Sequence, residues 1–398
     1  MLVKLISHPA VCGLPVSLHA AYHRYACLPE DVPEENLADF LAHGNFDAAC
    51  IAPLFQKQVV SLCACLDEAA TMSGSVDAVI REKDRLVGYN TSYSAFLDAA
   101  YRAGISLGSC HVLLLGESAP SPAIRLALQH AGATSVLSVS SIGELLPTLP
   151  GLADVTLLIN TLPPQEAVRV DLSLFPALRT LWDTVCLPLR SPLRQAAEAR
   201  GIRTVGGARF LAAQTEMASA HFTDRRPDPA CISFLSRRVA EEGFNIVLSG
   251  MPGSGKRTVG QRIAKLLGKR FLCVEDRLTE ELGVPPAAYA AANGIPALRE
   301  AETELLTRIG AEPGLVIATR AETALWEENR VPLRQNGLIF LLLRDPDLST
   351  IPDAACLWRE RLPRYAAFCD RSVENKTTVR DCARLIAEEA LRDCETLL

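Results

Sequence analysis

Short apolar runs and helical patterns alternate along most of this chain. In its N-terminal part, strand-like runs cover residues 49–51, 111–115 and 155–159, and helical patterns cover residues 94–103 and 122–131. Short apolar runs between turn residues favour buried strands, whereas apolar residues spaced three and four apart favour amphipathic helices. The alternation therefore predicts an α/β fold built in layers.

The C-terminal part repeats this alternation from residue 245 onward. The predicted strands lie at 245–248, at Phe271, at 315–318 and at 338–343, and the predicted helices at 259–267, across 286–308 and near the end. This order of elements is typical of a parallel sheet with helices on both faces. We place the main domain boundary in the polar, proline-containing stretch 223–229, because few contacts cross such segments.

The composition is that of a globular protein with two or three domains. The chain has 398 residues, of which 49% are hydrophobic and 22% charged, enough to bury large cores. A net charge of −6 gives no overall attraction to nucleic acid or to an anionic membrane, and no apolar run is long enough to cross a bilayer. The 13 cysteines form no paired framework and the start lacks the organisation of a signal peptide, so a cytoplasmic protein is expected.

The segment after the first C-terminal strand has the pattern of a phosphate-binding loop. Its first glycine is followed by four residues and then by glycine and lysine. In such loops backbone N–H groups surround phosphates at a helix N-terminus, and the lysine neutralises them. The residues predicted to bind ATP are Gly250, Gly253, Ser254, Gly255, Lys256 and Thr258. A glycine-rich turn that binds no nucleotide is the alternative.

One position of the loop departs from the pattern. Arg257 stands where a serine or threonine hydroxyl normally holds Mg²⁺. A permanent positive charge at this position would repel the metal ion. Thr258 could supply the hydroxyl if the helix start were shifted by one residue. The sequence therefore predicts ATP as a ligand and puts Mg²⁺ in doubt.

Beyond the loop, the C-terminal part resembles shikimate kinases over nearly its whole length. The segments that carry the resemblance follow the family's order and are 268–276, 294–302, 316–319, 328–330 and 361–365. The resemblance implies a transferase with a P-loop fold, with ATP as phosphoryl donor and the 3-hydroxyl of shikimate as acceptor.

The resemblance also assigns substrate-binding residues. It implies that Glu275 accepts hydrogen bonds from substrate hydroxyls, and that Arg299 and Arg361 hold the substrate carboxylate, which guanidinium groups can bind through two parallel hydrogen bonds. For either arginine alone, a solvated position on a helix is the alternative. Cys273 stands at the position of the family's metal-side acid, which adds to the doubt about Mg²⁺.

Two further segments differ from the kinase pattern. The family has three glycines after the strand at 315–318, and this chain has Arg320, Ala321 and Glu322, whose side chains would stand where the substrate lies. The family also has a lid loop with an arginine over ATP, whereas residues 344–354 show no obvious lid and no clear counterpart of that arginine.

The N-terminal part resembles shikimate dehydrogenases over roughly its first 225 residues. The segments that carry the resemblance are 8–9 with 19–22, 87–91, 154–161, 183 with 188–193, and 206–214. The resemblance implies an oxidoreductase with a substrate-binding lobe and a Rossmann-like lobe of the NADP type, and a ligand cleft is expected between the lobes.

This second resemblance assigns a catalytic lysine and two substrate residues. Lys57 lies close to the family's lysine, which exchanges a proton with the substrate oxygen, and Asn90 and Gln214 match substrate-binding positions. An ordinary surface lysine is the alternative for Lys57. Asp77 stands where the family has asparagine, and Ser92 stands where it has the catalytic aspartate.

The remaining departures concern the cofactor and the start of the chain. After the strand at 111–115 only Gly116 survives from the dinucleotide glycines, and Glu117 would repel a pyrophosphate. Residues 138–141 offer no basic side chain for the 2′-phosphate of NADPH, and Gly13 and Pro15 replace substrate-binding serines. NADPH binding is therefore in doubt.

Two functional hypotheses from different classes follow. The predicted domains are a substrate lobe at 1–105, a Rossmann-like lobe at 106–225 whose last helix returns to the first lobe, a linker with a lead-in helix at 226–242 and a P-loop domain at 243–398. Their pairing indicates a bifunctional enzyme that reduces 3-dehydroshikimate with NADPH and phosphorylates shikimate with ATP. The departures favour a catalytically degenerate protein that binds nucleotide, a shikimate-like ligand or a partner protein. No nucleic-acid or membrane partner is expected, and a homodimer is left open.

Overall fold

The described chain divides into two compact units. The structure, a computed structural model, describes residues 1–9, 14–21, 25–145, 150–344, 354–376 and 378–398. The first unit is Met1–Cys186 with Ala196–Val239, and the second is Leu187–Gln195 with Ala240–Leu398. A short segment from within the first unit's sequence thus belongs to the second. Among the described helices, none is both long and apolar enough to span a membrane.

The first lobe of the first unit is built on a six-stranded mixed sheet. Its strands are β1 (Leu2–Ser7), β2 (Ala26–Asp31), β3 (Ala48–Ile51), β4 (Cys65–Leu66), β5 (Ala78–Glu82) and β6 (Arg85–Tyr89). They lie in the order β2-β1-β3-β5-β6-β4, in which β5 runs antiparallel to both of its neighbours. The helices of this lobe are α1 (Leu14–Ala20), α2 (Leu37–His43), α3 (Glu68–Ser73) and α4 (Thr91–Arg102).

The second lobe carries a five-stranded, fully parallel sheet. Its strands are β7 (His111–Leu115), β8 (Ser135–Val139), β9 (Leu157–Asn160), β10 (Thr180–Asp183) and β11 (Arg203–Val205), in the order β11-β10-β9-β7-β8. Helices α5 (Ser121–His130), α6 (Pro164–Ala167) and α7 (Pro192–Ala199) connect them, and α8 (Ala208–Phe222) follows. Helix α8 packs against α4, and its Phe222 joins the buried cluster of Val3 and Tyr25 on the first sheet. It therefore ties the two lobes together.

The second unit contains another five-stranded parallel sheet. Its strands are β12 (Asn245–Ser249), β13 (Arg270–Cys273), β14 (Leu315–Ala318), β15 (Gly337–Leu343) and β16 (Arg371–Glu374), in the order β13-β14-β12-β15-β16. Its helices are α9 (Pro229–Gly243, shared with the first unit), α10 (Lys256–Leu267), α11 (Val274–Leu282), α12 (Pro286–Asn293), α13 (Ile295–Ala311), α14 (Arg330–Leu333), α15 (Ala354–Phe368) and α16 (Val379–Asp393). The predicted α/β fold with a parallel sheet in this unit is confirmed.

Alternating residues of the central strand explain why helices cover both faces of this sheet. Val247 belongs to a buried cluster with Leu305 of α13 and Tyr365 of α15. Its neighbour Leu248 points to the opposite face, where Gly260 of α10 approaches so closely that a Cβ would lie 3.2 Å from the Leu248 side chain. A strand buried on both faces must be apolar throughout, as the run Ile246–Leu248 is.

Candidate functional site

The turn after β12 has the backbone geometry of a phosphate-binding loop. Gly250, Gly253 and Gly255 have φ angles of 143°, 75° and 94°, which side-chain-bearing residues rarely adopt. A Cβ on Gly250 would lie 2.7 Å from the carbonyl oxygen of Leu342, and one on Gly255 would lie 2.8 Å from Nδ2 of Asn375. Helix α10 begins directly after Gly255, so its free N–H groups face the loop.

Two side chains of the loop are suited to a phosphate ligand. Lys256 folds back over the loop, where its Nζ donates to the carbonyl oxygens of Gly250 at 2.7 Å and Met251 at 3.0 Å. Burial lowers the pKa of Lys256 to about 8, partly offset by the charges of Glu322 and Glu275. The buried hydroxyl of Ser254 has no hydrogen-bond partner among the described residues. An anion in the loop would satisfy Ser254 and stabilise the charged lysine, so the residues fit a nucleotide phosphate.

An arginine that sequence reasoning did not assign to the loop also reaches it. Nη1 of Arg344, at the end of β15, donates to the carbonyl oxygen of Gly253 at 2.9 Å. The lid expected from the family would follow in residues 345–353, which lie outside the described residues. Arg344 thus adds positive charge at the phosphate loop. In the sequence, only its position directly after an apolar strand could have indicated this role.

The position expected to hold Mg²⁺ is built from unsuitable donors. Nη2 of Arg257 donates to Oδ1 of Asp276 at 2.6 Å and contacts Sγ of Cys273 at 3.3 Å, so the two positions that differ from the kinase pattern contact each other. Thr258 is exposed on the first turn of α10. Across the described residues, no three His, Cys, Asp or Glu side chains converge as metal ligands. Since Mg²⁺ requires oxygen ligands, a guanidinium and a thiol do not fit it.

Two of the three residues that replace the glycine turn, Arg320 and Glu322, form part of an ion-pair network. Nη1 of Arg320 donates to Oε2 of Glu302 at 2.8 Å, Nη2 lies 3.4 Å from Oε2 of Glu322, and Nε lies 3.9 Å from Oε2 of Glu275. The Glu302 side chain is only 1% exposed, and Thr323 donates to its second oxygen. Burial raises the pKa of Glu302, against the opposing charge of Arg320. Arg320 is thus surrounded by carboxylates from three elements.

The two arginines expected to bind a carboxylate are both paired within the protein. Nη1 of Arg361 lies 3.8 Å from Oε1 of Glu322. Arg299 pairs with Glu328 and stacks on the ring of Trp326, with its guanidinium carbon 4.2 Å from the ring centre. These three side chains line a surface cavity of 460 Å³ beside α13. Arg299 and Glu302 are one turn apart on α13, whereas Arg361 comes from α15.

The candidate substrate site of the first unit centres on a buried aspartate. Oδ1 of Asp77 accepts from the backbone N of Thr91 at 2.7 Å, and Oδ2 accepts from the backbone N and the hydroxyl of Ser92 at 2.9 and 2.6 Å. Nε2 of Gln214 donates to the same Ser92 hydroxyl at 2.8 Å, from α8 to α4. Burial raises the pKa of Asp77, and the N–H groups at the helix start oppose this shift. The carboxylate that sequence comparison finds missing at 92 is therefore present opposite it, at 77.

The other residues expected in this site have different surroundings. Asn90 is the N-cap of α4, and its Nδ2 donates to the carbonyl oxygen of Ser75 at 2.9 Å, so its amide is used inside the protein. Lys57 is exposed in a turn and has no hydrogen bond or ion pair within the described ranges. Its catalytic role stays a prediction. Gly13 and Tyr22, from the start of the resemblance, lie outside the described residues.

A histidine that the sequence did not indicate lies close to this site. The rings of His221 and Tyr89 are in contact, with centres 4.2 Å apart and planes tilted by 30°. Partial burial lowers the pKa of His221, while the charges of Asp67 and Asp77 raise it. His221 follows Gln214 by seven residues on α8, which places both on the same helix face. The seven-residue spacing from Gln214 is the feature of the sequence that could have indicated His221.

The turn after β7 does not form a dinucleotide cradle. Gly116 has a φ of 103°, and a Cβ there would lie 2.5 Å from Oγ1 of Thr161, so the turn packs against the protein itself. Glu117 is neutralised by Nη2 of Arg125 at 2.5 Å. Nε of Arg125 also donates to Ser138 at 3.2 Å, so α5 supplies the basic side chain that residues 138–141 lack. The turn does not fit a pyrophosphate, although Arg125 of α5 places a cation beside the second strand.

Comparison with known proteins assigns a family to the second unit. The family model "Shikimate kinase" matches residues 252–350. A "Shikimate kinase" from Moorella thermoacetica is 35% identical over 165 residues, which cover 37% of this chain and 94% of that protein. Three further shikimate kinases are 36–37% identical, and the chain spans only 46–60% of their length.

Comparison of the first unit gives a fold. A "Shikimate dehydrogenase (NADP(+))" from Rubrobacter xylanophilus is 28% identical over 283 residues, which cover 61% of this chain and 96% of that protein. The shikimate 5-dehydrogenase from Thermus thermophilus, solved with NADP(H) and shikimate, superposes with a TM-score of 0.52 at 23% identity, covering 60% of this chain and 99% of that one. Through its second unit the chain therefore belongs to the shikimate kinase family, and that unit follows one with the fold of shikimate dehydrogenases.

Proposed function

We propose that the chain is a shikimate-pathway protein whose second unit binds ATP and phosphorylates shikimate at its 3-hydroxyl. The observation that carries this proposal is the phosphate loop, in which three glycines of positive φ, Lys256 on two loop carbonyls and an unpartnered Ser254 hydroxyl surround one position. The family of this unit supports the same reaction.

In this proposal ATP supplies the phosphoryl group, and the chain's own residues hold the reactants. The N–H groups at the start of α10, Ser254 and Lys256 bind phosphate oxygens, and Arg344 stabilises the loop from its outer side. Glu275 orients the acceptor hydroxyl, while Arg299 and Arg361 provide positive charge for the ligand's carboxylate. No step is assigned to Mg²⁺, because the residues at its expected position do not fit it.

The first unit completes the proposal as the site that handles 3-dehydroshikimate. Asp77, Ser92 and Gln214 form its polar centre, with Asn90 and Lys57 as the other assigned residues. Relatives of this unit are named for NADP(+). We propose 3-dehydroshikimate as the ligand of this unit and assign no hydride transfer to it, because the turn after β7 does not fit the pyrophosphate of NADPH. The domain limits at 105, 225 and 242, a cytoplasmic location and the absence of nucleic-acid partners belong to the same proposal.

A second function, ligand binding without turnover, is favoured by one specific observation. The two arginines that depart from the kinase pattern each have an internal partner, Asp276 for Arg257 and Glu302 for Arg320. In these pairs the charge of each altered residue is balanced within the protein, without a bound ligand. A protein of this kind would bind nucleotide or a shikimate-like molecule and act through a partner protein.

A coupled assay of the intact chain separates these functions. It contains ATP and Mg²⁺ with either 3-dehydroshikimate and NADPH or shikimate itself, and it is read by mass spectrometry for shikimate and its 3-phosphate, with the Lys256→Ala variant as the matched control. Formation of the 3-phosphate by the wild type and its loss in Lys256→Ala supports the kinase. Absence of both products, together with thermal stabilisation by ATP, supports the binding protein.

A further inference from the structure

The carboxylate of Glu322 lies between two arginines. Its Oε2 is 3.4 Å from Nη2 of Arg320, and its Oε1 is 3.8 Å from Nη1 of Arg361. A planar carboxylate whose two oxygens face two guanidinium groups has the arrangement that arginines use to bind a ligand's carboxylate. Glu322 therefore has the position of a ligand, although it belongs to the chain.

The backbone around Glu322 is fixed by the same helix that carries Arg361. The hydroxyl of Tyr365, four residues after Arg361 on α15, donates to the carbonyl oxygen of Ala321 at 2.7 Å. Tyr365 is fully buried, and burial raises its pKa to about 12, so the hydroxyl keeps its proton and this bond persists. Helix α15 thus presents Arg361 and holds the residue before Glu322 in one rigid arrangement.

The side chain of Glu322 remains free to leave. It is 43% exposed, compared with 11% for Arg320 and 22% for Arg361. Both of its separations from nitrogen exceed those of a short charge-assisted hydrogen bond, whereas Arg320 is held independently by the buried Glu302 at 2.8 Å. A ligand's carboxylate could therefore replace Glu322 without disturbing Arg320.

The charge of Glu322 also acts on the phosphate loop. Its charge raises the pKa of Lys256, which places the carboxylate within electrostatic reach of the loop lysine. The remaining arginine assigned to the acceptor, Arg299, pairs with Glu328. Among the described residues around the acceptor, each assigned arginine thus has a carboxylate partner of its own.

We propose that Glu322 is an intramolecular competitor for the carboxylate subsite formed by Arg320 and Arg361. A ligand that carries a carboxylate binds there by displacing Glu322, and an uncharged analogue of the same shape gains nothing from the two arginines. This inference rests on the proposed function for the identity of the ligand, which we take as shikimate.

Calorimetric titration of the intact chain tests the competition. Glu322→Gln keeps the size of the side chain and removes its charge, so shikimate should bind about tenfold more tightly than to the wild type. The methyl ester of shikimate, which lacks the charge, should bind equally to both proteins. Glu304→Gln on α13, an exposed residue with no ion pair among the described residues, controls for the loss of one negative charge.

The outcomes distinguish this inference from the proposed function. Unchanged shikimate affinity in Glu322→Gln, or an equal gain for the ester or in Glu304→Gln, would overturn the competition. Glu322→Ala provides a second variant, and thermal unfolding confirms that both variants are folded. Tighter shikimate binding without any 3-phosphate in the coupled assay would support the competition and reject the kinase reaction.

Discussion

Lys256 and Arg257 are neighbours in the chain but face different surroundings. Lys256 turns into the phosphate loop and binds its carbonyl oxygens, whereas Arg257 turns away to Asp276 and Cys273. Adjacent positions at a helix start differ by about 100° in direction, so one can serve the loop while the other serves the neighbouring helix. The positive charge of Arg257 is therefore balanced by Asp276 and does not neutralise a phosphate bound in the loop.

Replacement of Arg257 by serine should restore a metal-binding hydroxyl. In Arg257→Ser, Asp276 loses its partner and a serine oxygen stands beside the loop, so ATP affinity in the presence of Mg²⁺ should rise about tenfold. Titration calorimetry with and without EDTA measures the effect. Arg270→Ser, which removes an exposed arginine paired with Glu312, is the control. If neither ATP affinity nor its metal dependence changed, Arg257 would not be what blocks the metal.

Lys256 should make stability depend on pH. Its pKa is lowered from 10.5 to about 8 in the folded protein, so the unfolded chain binds the extra proton between these values. The unfavourable contribution is complete below pH 8 and is lost as the pH rises towards 10.5. Lys256→Met should therefore raise the free energy of unfolding by about 1–3 kcal/mol at pH 7, and by much less at pH 10. Urea denaturation at both pH values measures the effect, with Lys265→Met as the surface control. A gain in the free energy of unfolding that was equal at pH 7 and pH 10 would contradict the prediction.

The site residues could be predicted from the sequence more readily than their partners. The glycine spacing identifies the loop, and Arg257 is visible as an exception within it. The partners of Arg320 come from α11, α13 and the turn after β14, so only the folded chain brings them together. The same holds for Asp77 and Ser92, since a carboxylate supplied by β5's approach to α4 has no local sequence signature.

At the scale of elements, burial decides what the sequence predicts well. The predicted strands at 111–115 and 315–318 are confirmed as β7 and β14, and the one at 338–343 as β15, because buried central strands are apolar throughout. Strands β5 and β6 were not predicted. They form a hairpin whose exposed turn contains Lys83 at a φ of 58°. Lysine rarely adopts this left-handed conformation, so the sequence gives no indication of the turn.

The connection between α8 and α9 is held by a buried carboxylate. Glu216 of α8 has a fully buried side chain that accepts from Arg225 and from the backbone N of Asp228 at 2.6 Å. The stretch 223–229, in which the sequence places the main domain boundary, is therefore attached to the end of α8. Charged and proline-rich residues here serve a local contact that composition does not reveal.

Removal of Arg225 should destabilise the first unit. Arg225→Met leaves Glu216 buried with less compensation, which should lower the free energy of unfolding by about 3 kcal/mol. Arg226→Met changes the exposed neighbour in the same way and should cost little. Urea denaturation followed by circular dichroism compares the two variants, and similar values for both would argue against the role assigned to Glu216.

At the scale of the whole molecule, the two units are interleaved in sequence. The second unit includes Leu187–Gln195, whose Leu189 N donates to Oδ1 of Asn336 at 2.8 Å. Nη1 of Arg194 donates to the carbonyl oxygen of Leu397 at 2.7 Å. These bonds join a segment from the middle of the chain to the second unit's core and to its last residues.

A fragment that begins at the predicted domain start should therefore be incomplete. Residues 243–398 alone lack 187–195, which leaves Asn336 without its backbone donor and exposes apolar side chains. We expect the fragment to melt at least about 5 °C below the corresponding transition of the intact chain. Differential scanning calorimetry measures both, and addition of a synthetic peptide of residues 187–195 should recover part of the loss. Equal melting temperatures would show that the segment is dispensable.

The interleaving also sets an order for folding during synthesis. Arg194 leaves the ribosome about 200 residues before Leu397. The first unit can fold while the rest of the chain is still being made, but the segment 187–195 must wait for strands that have not yet appeared. The kinase-family unit therefore forms this contact only after Leu397 has been synthesised, and removal of Leu397 would affect a segment in the middle of the sequence.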